Sequence, residues 1–306
     1  MILPENLRRG DTIGMIAPAG PPDLSKLQEG AEFFTRMGLN IQYGQHIQSM
    51  RGYLAGKDEQ RLQDLHEMFA DPQIKAIFCA RGGYGTARIA ADIDYELIRN
   101  NPKIFWGYSD ITFLHTAIAQ RTGLVTFHGP MPASDMADSN FDVRAARLFQ
   151  QCFSPVLLHY NEDISPLFVI AGGCATAPII GGNLSLIVST LGTPFEIDTR
   201  GKLLLIEDVG EVPYKVDGML NQLRLSGKIQ QAAGVIIGDF SKADTGQPTL
   251  TLTEVYNDYF ADFQGPVMSG FQIGHCSMNF PLPLGVNATL DTAEKSLTIE
   301  PGVCVC

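Results

Sequence analysis

Short apolar runs alternate with amphipathic segments along the first half of the chain. Apolar residues recur at helical spacing, and the predicted helices cover residues 25–37, 57–70, 111–121 and 143–153. The runs between them have the length of buried strands and cover residues 11–17, 41–46, 74–79, 104–106 and 124–128. Strands that alternate with helices are typical of a parallel sheet. We therefore predict a doubly wound α/β domain at residues 1–153.

Cap and stop residues mark the ends of the first helices. Ser25 and Gln28 have the spacing of a capping box, and Gly38 follows the end of the same helix. Asp71 and Pro72 end the next helix, because proline cannot continue a helical hydrogen-bond ladder.

A second domain is predicted after a short crossing. Residues 154–168 contain Pro155 and Pro166 among mixed polar residues, and we interpret them as a linker. Beyond the linker, the pattern predicts helices at residues 183–191 and 214–225 and strands at residues 203–206 and 235–237. The tail at residues 286–303 is typical of short β-strands, so the second domain is expected to span residues 169–306.

One uncharged stretch, residues 164–195, is long enough to suggest a membrane span. It is interrupted by helix-breaking residues, namely Pro166, Gly172, Gly173, Pro178, Gly181, Gly182, Gly192 and Pro194. It also contains the polar residues Asn183, Ser185 and Ser189. We therefore predict a buried strand, a loop and a helix here, and no membrane contact.

The net charge indicates which partners to expect, and the N-terminal residues indicate the location. Lys and Arg number 22 and Asp and Glu number 33, which gives a formal net charge of −11. Nucleic acid is not expected as a partner, because binding a phosphate backbone requires a basic surface. The first ten residues lack the apolar core of a secretory signal, which predicts a cytoplasmic location. A homodimer is left open.

Cysteine and histidine spacings give no support to a metal or disulfide function. The six cysteines form no C-x-x-C pair and are expected to be reduced and structural; they are Cys79, Cys152, Cys174, Cys276, Cys304 and Cys306. The six histidines are scattered and form no H-E-x-x-H motif. We expect no metal and no other cofactor.

A glycine-rich turn follows the predicted strand at residues 74–79. Arg81, Gly82 and Gly83 begin the sequence RGGYG, which is typical of a backbone nest for an anion or of a tight turn that needs positive φ. A dinucleotide-binding turn is excluded, because Arg88 stands where the third small residue of that motif must pack. Binding of an oxyanion or substrate and a purely structural turn both remain open.

A serine follows the next predicted strand. The sequence Gly107-Tyr108-Ser109-Asp110 lies between strand and helix, where a serine Oγ stands above the sheet and the next N–H faces a developing oxyanion. The motif departs from G-x-S-x-G because Ile111 replaces the second glycine. Ser109 is therefore either a nucleophile or a helix N-cap.

A serine nucleophile requires a base and a group that orients it. Glu207 and Asp208 follow a buried strand, and Glu207 is the better orienter because neighbouring strand side chains face opposite sides. His115, His128 and His275 compete for the role of base. If Ser109 pairs with Glu207 and His275, the site is expected in a cleft between the two domains.

These residues lie in eight blocks that together resemble the LD-carboxypeptidase family, the muramoyltetrapeptide carboxypeptidases, which also includes the microcin-immunity peptidases. The blocks are IAPAG (16–20), GYLAGKDEQRLQDL (52–65), ARGGYG (80–85), WGYSDIT (106–112), HGPM (128–131), GGNLSL (181–186), LLLIEDVGE (203–211) and GHCSMNFPLPLG (274–285). The resemblance covers nearly the whole chain. It implies a Rossmann-like, parallel-sheet N-terminal domain and a smaller, β-rich C-terminal domain.

The resemblance also implies a mechanism. Ser109 matches the family's nucleophile, Glu207 the acid and His275 the base. The expected reaction is cleavage of an L,D peptide bond, which releases terminal D-alanine from a small murein tetrapeptide during cell-wall recycling. The N–H of Asp110 and an N–H of Gly82 or Gly83 are expected to bind the oxyanion. Arg81 is a candidate for a substrate carboxylate.

Two other functions are kept as alternatives. One is a serine amidase of the same family that acts on an aminoacyl-nucleotide antibiotic of the microcin type. The other is an α/β protein that binds a ligand without catalysis.

Overall fold

Two groups of elements make up the protein, of which a computed structural model describes residues 1–138, 141–243 and 249–305. Unit 1 comprises Met1–Val156, Phe280–Gly285 and Pro301–Cys306, and unit 2 comprises Leu157–Asn279 and Val286–Glu300. This division differs from the predicted one in two respects. Two short late segments belong to unit 1, and the predicted linker at residues 154–168 contains a strand of unit 2, Leu158–Tyr160.

Unit 1 is built on a six-stranded sheet. Its strands are β1 (Thr12–Ile16), β2 (Asn40–Tyr43), β3 (Ile74–Cys79), β4 (Ile104–Gly107), β5 (Thr126–His128) and β12 (Leu282–Leu284). Their order is β12-β5-β4-β3-β1-β2, and all neighbours are parallel except β12, which is antiparallel to β5. In such a sheet the strand order reverses between β1 and β3, and ligands bind beyond the carboxyl ends of the strands at that point.

The helices of unit 1 follow the strands in the alternation that the sequence predicts. They are α1 (Leu24–Arg36), α2 (Asp58–Ala70), α3 (Thr86–Ile89), α4 (Tyr95–Asn100), α5 (Thr112–Thr122) and α6 (Val143–Leu148). The predicted helix at residues 143–153 ends at Leu148 and continues as a 3-10 turn, Phe149–Cys152. The core contains Ile16, Ile77, Phe105, Ile111 and Leu114, all buried. The five parallel strands β1 to β5 and the buried apolar core thus agree with the predicted parallel-sheet domain.

One predicted cap is wrong. The N-cap of α1 is Asp23, whose Oδ1 accepts hydrogen bonds from the N–H groups of Ser25 and Lys26. Ser25 instead lies inside the helix, and its hydroxyl also donates to Asp23. An Asp two residues before the expected cap therefore binds the exposed N–H groups, because its carboxylate also complements the positive end of the helix.

Unit 2 is built on an eight-stranded sheet. Its strands are β6 (Leu158–Tyr160), β7 (Phe168–Ala171), β8 (Cys174–Asn183), β9 (Leu203–Val209), β10 (Gly234–Ser241), β11 (Val267–Ser269), β13 (Asn287–Asp291) and β14 (Ser296–Ile299). Their order is β6-β14-β13-β8-β9-β10-β11-β7. Strands β8, β9, β10 and β11 are parallel, and antiparallel strands flank them on both sides. The second unit is therefore β-rich, as the family resemblance implies.

The helices of unit 2 are α7 (Leu184–Ser189), α8 (Pro213–Leu225), α9 (Lys228–Gln231) and α10 (Leu252–Phe260). Leu204, Ile206 and Ile237 from the sheet pack in one core with Val216 and Leu220 of α8. The uncharged stretch at residues 164–195 forms β7, β8 and α7, which agrees with the predicted strand, loop and helix. In the part of the chain that the structure describes, no helix has the length and apolar character needed to cross a bilayer.

The cysteines of the described ranges are all free thiols. Cys79 and Cys152 are buried in unit 1, and burial raises the pKa of both thiols above their ordinary value. Cys306 lies outside the described residues. No cluster of three or more His, Cys, Asp or Glu side chains suited to a metal ion occurs in residues 1–138, 141–243 and 249–305.

Candidate active site

Ser109 stands at a sharp turn between β4 and α5. Its φ is +63°, a left-handed value that is rare for a residue other than glycine and is stabilised only by the surrounding structure. A 3-10 turn, Ser109–Ile111, leads directly into α5. A left-handed residue at a strand-to-helix turn is the backbone arrangement found in nucleophile elbows, so we keep the name elbow for residues 107–111.

The carboxylate of Asp110 ties the elbow to the glycine turn after β3. Its Oδ2 accepts a hydrogen bond of 2.9 Å from the N–H of Thr86, and the Thr86 hydroxyl donates to the Asp110 carbonyl at 2.6 Å. Asp110 is buried, and burial raises the pKa of this carboxyl while the hydrogen bonds from Thr86 lower it. The side chain of Asp110 therefore positions the turn, and its backbone N–H is the group that remains a candidate for oxyanion binding.

His115 holds the backbone of the elbow by a hydrogen bond to the last residue of β4. It is buried in α5, and its Nε2 lies 2.8 Å from the carbonyl oxygen of Gly107, the last residue of β4. A carbonyl only accepts, so Nε2 carries the proton. Burial lowers the pKa of His115 to about 3, and the ring is neutral at physiological pH. Of the three histidines that competed for the role of base, this one is occupied in holding the backbone of the elbow.

Gly82 of the RGGYG turn lies against Ser109. An added Cβ at Gly82 would stand 2.9 Å from Ser109 Cβ and 3.0 Å from its Oγ, so no larger residue fits without moving the serine. It would also stand 3.5 Å from the Asp110 nitrogen. The next residue, Gly83, has φ +122°, a conformation that only glycine adopts readily. The turn thus brings backbone within reach of both the serine and the Asp110 N–H.

Arg61 is a buried residue that the sequence pattern alone did not single out. Its side chain extends from α2, and Nη1 donates to the carbonyl oxygens of Pro18, at 2.5 Å, and Gly85, at 2.9 Å. Nη2 also pairs with Asp58. The guanidinium therefore connects the loop after β1 with the turn after β3. A signal for it exists in the sequence, because residue 61 falls on the same helix face as the buried Leu65 and Met68.

Arg81 lies along the loop after β1. Its Nη1 is 3.5 Å from the Pro21 carbonyl oxygen, a long hydrogen bond, and the side chain is half-buried. An added Cβ at Gly20 would stand 3.7 Å from Arg81 Nε. The guanidinium therefore lies at the carboxyl ends of β1 and β3, where a parallel sheet of this order binds ligands.

In unit 2, Glu207 and His275 form a hydrogen-bonded pair. His275 Nδ1 lies 2.7 Å from Glu207 Oε2, and the Glu207 side chain is fully buried at the end of β9. Gly274 has φ +115°, and an added Cβ there would stand 2.4 Å from Glu207 Oε2. The chain can therefore approach the carboxylate closely only with glycine before the histidine.

Asp208, the next residue, makes different contacts. Its Oδ1 accepts from Asn183 Nδ2 at 2.9 Å, and its Oδ2 accepts from the Ser185 N–H and hydroxyl. The two neighbouring acids therefore serve separate purposes: Asp208 holds the start of α7, whereas Glu207 binds the histidine. This division agrees with the alternation expected along a strand.

Three further residues, Asn279, Asp239 and Ser241, hold the loop that carries His275. Asn279 Oδ1 accepts from the Gly274 N–H at 3.0 Å, and Asn279 itself has φ +32°. Asp239 accepts from the Ser241 N–H, and the Ser241 hydroxyl donates to the His275 carbonyl at 3.1 Å. The sequence pattern singled out none of the three. Asn279 had a signal, since asparagine tolerates left-handed turns that close short loops.

The candidate site residues come from both units. Ser109, Asp110, Arg81, Gly82 and Gly83 belong to unit 1, and Glu207 and His275 belong to unit 2. A buried carboxylate that accepts from Nδ1 fixes the imidazole tautomer and stabilises its protonated form, so that Nε2 is the nitrogen that takes a proton. A serine on a strained elbow and an imidazole held by a carboxylate are the parts of a serine hydrolase.

Comparison with known proteins identifies which serine hydrolase family this is. Residues 13–129 match the LD-carboxypeptidase N-terminal domain, and residues 176–290 match the LD-carboxypeptidase C-terminal domain. The chain is 51% identical over 302 residues to the "probable murein peptide carboxypeptidase" of Bacillus subtilis (strain 168), covering 98% of this chain and 95% of that protein. The protein therefore belongs to the LD-carboxypeptidase family and is a serine-type peptidase.

Solved structures agree with this assignment. An MccF-like protein from Bacillus anthracis str. Ames superposes with a TM-score of 0.90 at 28% identity, covering 98% of this chain and 100% of that one. MccF is the microcin C7 self-immunity protein of Escherichia coli. A muramoyltetrapeptide carboxypeptidase from Oxalobacter formigenes superposes with a TM-score of 0.84 at 26% identity, covering 96% and 100% of the two chains. These similar proteins are thus named either for a carboxypeptidase activity on muramoyltetrapeptide or for self-immunity to microcin C7.

Proposed function

We propose that this protein is an LD-carboxypeptidase that releases terminal D-alanine from murein tetrapeptides. The observation that carries the substrate is the 51% identity to the Bacillus subtilis protein, which extends over almost the whole of both chains. The chemistry is supported by the Glu207–His275 pair and by the left-handed backbone of Ser109. In this proposal, Ser109 attacks the carbonyl carbon of the residue before D-alanine.

His275 takes the proton of the Ser109 hydroxyl through Nε2 and later gives it to the leaving amine. Glu207 accepts from Nδ1–H throughout and stabilises the imidazolium that forms. The acyl-enzyme is then hydrolysed by water, which His275 activates in the same way. The N–H of Asp110 and an N–H of Gly82 or Gly83 bind the tetrahedral oxyanion.

Arg81 is proposed to bind a carboxylate of the substrate. Its guanidinium lies at the end of the sheet beside Gly20 and one residue from Gly82, which contacts Ser109. The substrate carries several carboxylates, whereas the protein has a net charge of −11, so a local positive group is needed. Removing this group is expected to raise KM more than it lowers kcat.

The test compares matched peptides. The purified protein is incubated with a tetrapeptide that ends in D-alanine after an L-centre, with the same peptide ending in L-alanine, and with a pentapeptide that ends in D-Ala-D-Ala. We expect release of D-alanine from the first peptide alone. Release from the pentapeptide at a comparable rate, or no release from any of the three, would overturn the proposal.

A second candidate is hydrolysis of a microcin-type aminoacyl-nucleotide. It is favoured by the TM-score of 0.90 with the MccF-like structure. An aminoacyl sulfamoyl nucleoside is the appropriate probe, because it contains an amino acid and a nucleoside, as a microcin-type aminoacyl-nucleotide does. Cleavage of a hydrolysable microcin analogue without D-alanine release would favour this candidate. Labelling of wild-type protein, but not of Ser109→Ala, by a fluorophosphonate tests whether either activity exists, as opposed to ligand binding alone.

We also propose that the protein works in the cytoplasm, on murein fragments taken up for reuse. Cell fractionation followed by immunoblotting tests this location. A homodimer also remains a proposal, and it is tested by the molar mass of the purified protein from light scattering.

A further inference from the structure

Two exposed tyrosines stand beside the glycine turn of unit 1. Tyr53 is 69% exposed and Tyr84 is 53% exposed, and their rings meet edge to face with centroids 5.5 Å apart. Tyrosine rings at this exposure offer a large apolar face to a ligand, while their hydroxyls remain hydrated. Neither ring has a role in the mechanism proposed above.

The backbone connects this pair to Ser109 through a short series of contacts. The Tyr53 carbonyl oxygen would stand 3.6 Å from an added Cβ at Gly20, and the Gly20 N–H donates to the Gly82 carbonyl at 3.2 Å. Gly82 in turn contacts Ser109. Tyr84 is two residues from Gly82, which limits the separation of their Cα atoms to about 7.6 Å. The turn that carries Tyr84 therefore also carries the glycine that contacts the proposed nucleophile.

The length of the substrate indicates which of its parts reaches the rings. The acyl side of a tetrapeptide has three residues, and an extended chain of that size spans about 10 Å. The end of the substrate at that distance from the cleaved bond is the N-terminal one. In murein, that end is joined through a lactyl group to an N-acetylated amino sugar. Small or charged peptide residues have no broad apolar face, whereas the C–H face of a pyranose ring does.

Polar groups suited to a sugar lie next to the rings. Arg88 forms an ion pair of 2.7 Å with Asp58, and this pair is partly exposed. Both tyrosines are close enough to Arg88 to interact with it electrostatically. Aromatic faces combined with a few polar groups are the usual composition of a small-molecule subsite.

We propose that Tyr53 and Tyr84 form a saccharide subsite that binds the amino sugar of a murein peptide. The proposal rests on the proposed function for the choice of substrate. It predicts that the protein uses a sugar-bearing tetrapeptide more efficiently than the free tetrapeptide. The contribution of a stacked ring suggests an advantage of about 3- to 10-fold in kcat/KM.

The test measures kcat/KM for D-alanine release from the free tetrapeptide and from the same peptide bearing the disaccharide. Tyr53→Ala and Tyr84→Ala are expected to abolish the advantage of the sugar and to leave the free peptide nearly unchanged. Tyr53→Phe and Tyr84→Phe should retain most of the advantage, because the ring is kept. Phe168→Ala in β7 of unit 2 is the matched control, since Phe168 is 62% exposed.

An unchanged ratio between the two substrates in both alanine variants would overturn the subsite. Equal losses with both substrates would overturn it too, because the rings would then act on the peptide or on the turn. Binding of the disaccharide without peptide, followed by NMR line broadening of the sugar, separates this proposal from the proposed function. Saturable broadening that is lost in Tyr53→Ala supports the subsite even if no D-alanine is released, and absence of broadening in the wild type contradicts it.

Discussion

Gly82 lies directly against Ser109, so that a methyl group added at residue 82 would stand 2.9 Å from Ser109 Cβ and 3.0 Å from its Oγ. Real Cβ atoms essentially never lie as close to another atom as 2.9 Å. The glycine therefore determines where the serine stands, and it belongs to a turn that Asp110 and Arg61 hold in place through Thr86 and Gly85. The position of the proposed nucleophile is thus set by a neighbouring loop as well as by its own strand.

Gly82→Ala is expected to lower kcat by at least about 10²-fold, because a displacement of the order of 1 Å in a reacting group has this effect. The measurement is the steady-state rate of D-alanine release from the tetrapeptide. Gly218→Ala is the control, since residue 218 lies in α8 with open space around its Cα. If Gly82→Ala retained wild-type kcat while the control did too, the close approach to Ser109 would have no part in catalysis.

Glu207→Gln is expected to lower kcat by about 10³- to 10⁴-fold, as the loss of the charged orienting group does in other serine triads. The amide has the shape of the carboxylate but cannot stabilise an imidazolium. The fold should be retained, because a neutral side chain is easier to bury than a charged one. Activity is measured as kcat for D-alanine release, and circular dichroism reports the fold. A folded variant with kcat within tenfold of the wild type would remove Glu207 from the mechanism.

His115 is expected to make unit 1 less stable in acid. Its folded pKa of about 3 lies below the ordinary value near 6.5, so the unfolded chain binds a proton that the folded chain does not. Above about pH 6.5 the ring is neutral in both states, and His115 does not change the free energy of unfolding. As the pH falls from about 6.5 toward 3, only the unfolded chain is protonated, and the free energy of unfolding decreases. In this range the free energy of unfolding should decrease by about 1.4 kcal/mol for each pH unit from this group alone.

His115→Gln provides the comparison, because glutamine can donate to the Gly107 carbonyl and does not titrate. Urea unfolding is followed by the fluorescence of Trp106, the single tryptophan of the chain, which is buried in unit 1. Between pH 6 and 4, the wild type should lose stability more steeply than the variant. Parallel dependence on pH in the two proteins would mean that His115 is not held neutral by burial.

Much of the fold could be predicted because local pattern and tertiary structure agree. The apolar run at residues 74–79 forms β3 with the same bounds, Ile74–Cys79, and Asp71 is the C-cap of α2, as the proline after it predicts. Strand β12 could not be predicted, because its residues reach β5 from more than 150 positions away in the chain. Contacts over such a distance leave no periodic signal.

The candidate site was predictable to a different degree for each residue. Glu207 stood out because strand alternation separates it from Asp208, and the hydrogen bonds of Asp208 agree with that separation. The left-handed φ of Ser109 was not evident, since a turn of the form G-Y-S-D is compatible with a helix cap. Arg61 had only one signal, its position on the helix face of the buried Leu65 and Met68, and the carbonyl groups of Pro18 and Gly85 explain why a charged side chain is buried there.

We propose that Ser109 and His275 act as one catalytic unit in releasing D-alanine. The most direct test measures kcat/KM for the tetrapeptide with Ser109→Ala, His275→Ala and the double variant, with folded His128→Ala beside them. We expect each single variant to lose at least about 10³-fold in kcat/KM and the double variant to be little worse than either, because the members of one catalytic unit are strongly non-additive. A His275→Ala enzyme that remains active, beside an inactive but folded His128→Ala enzyme, would contradict it.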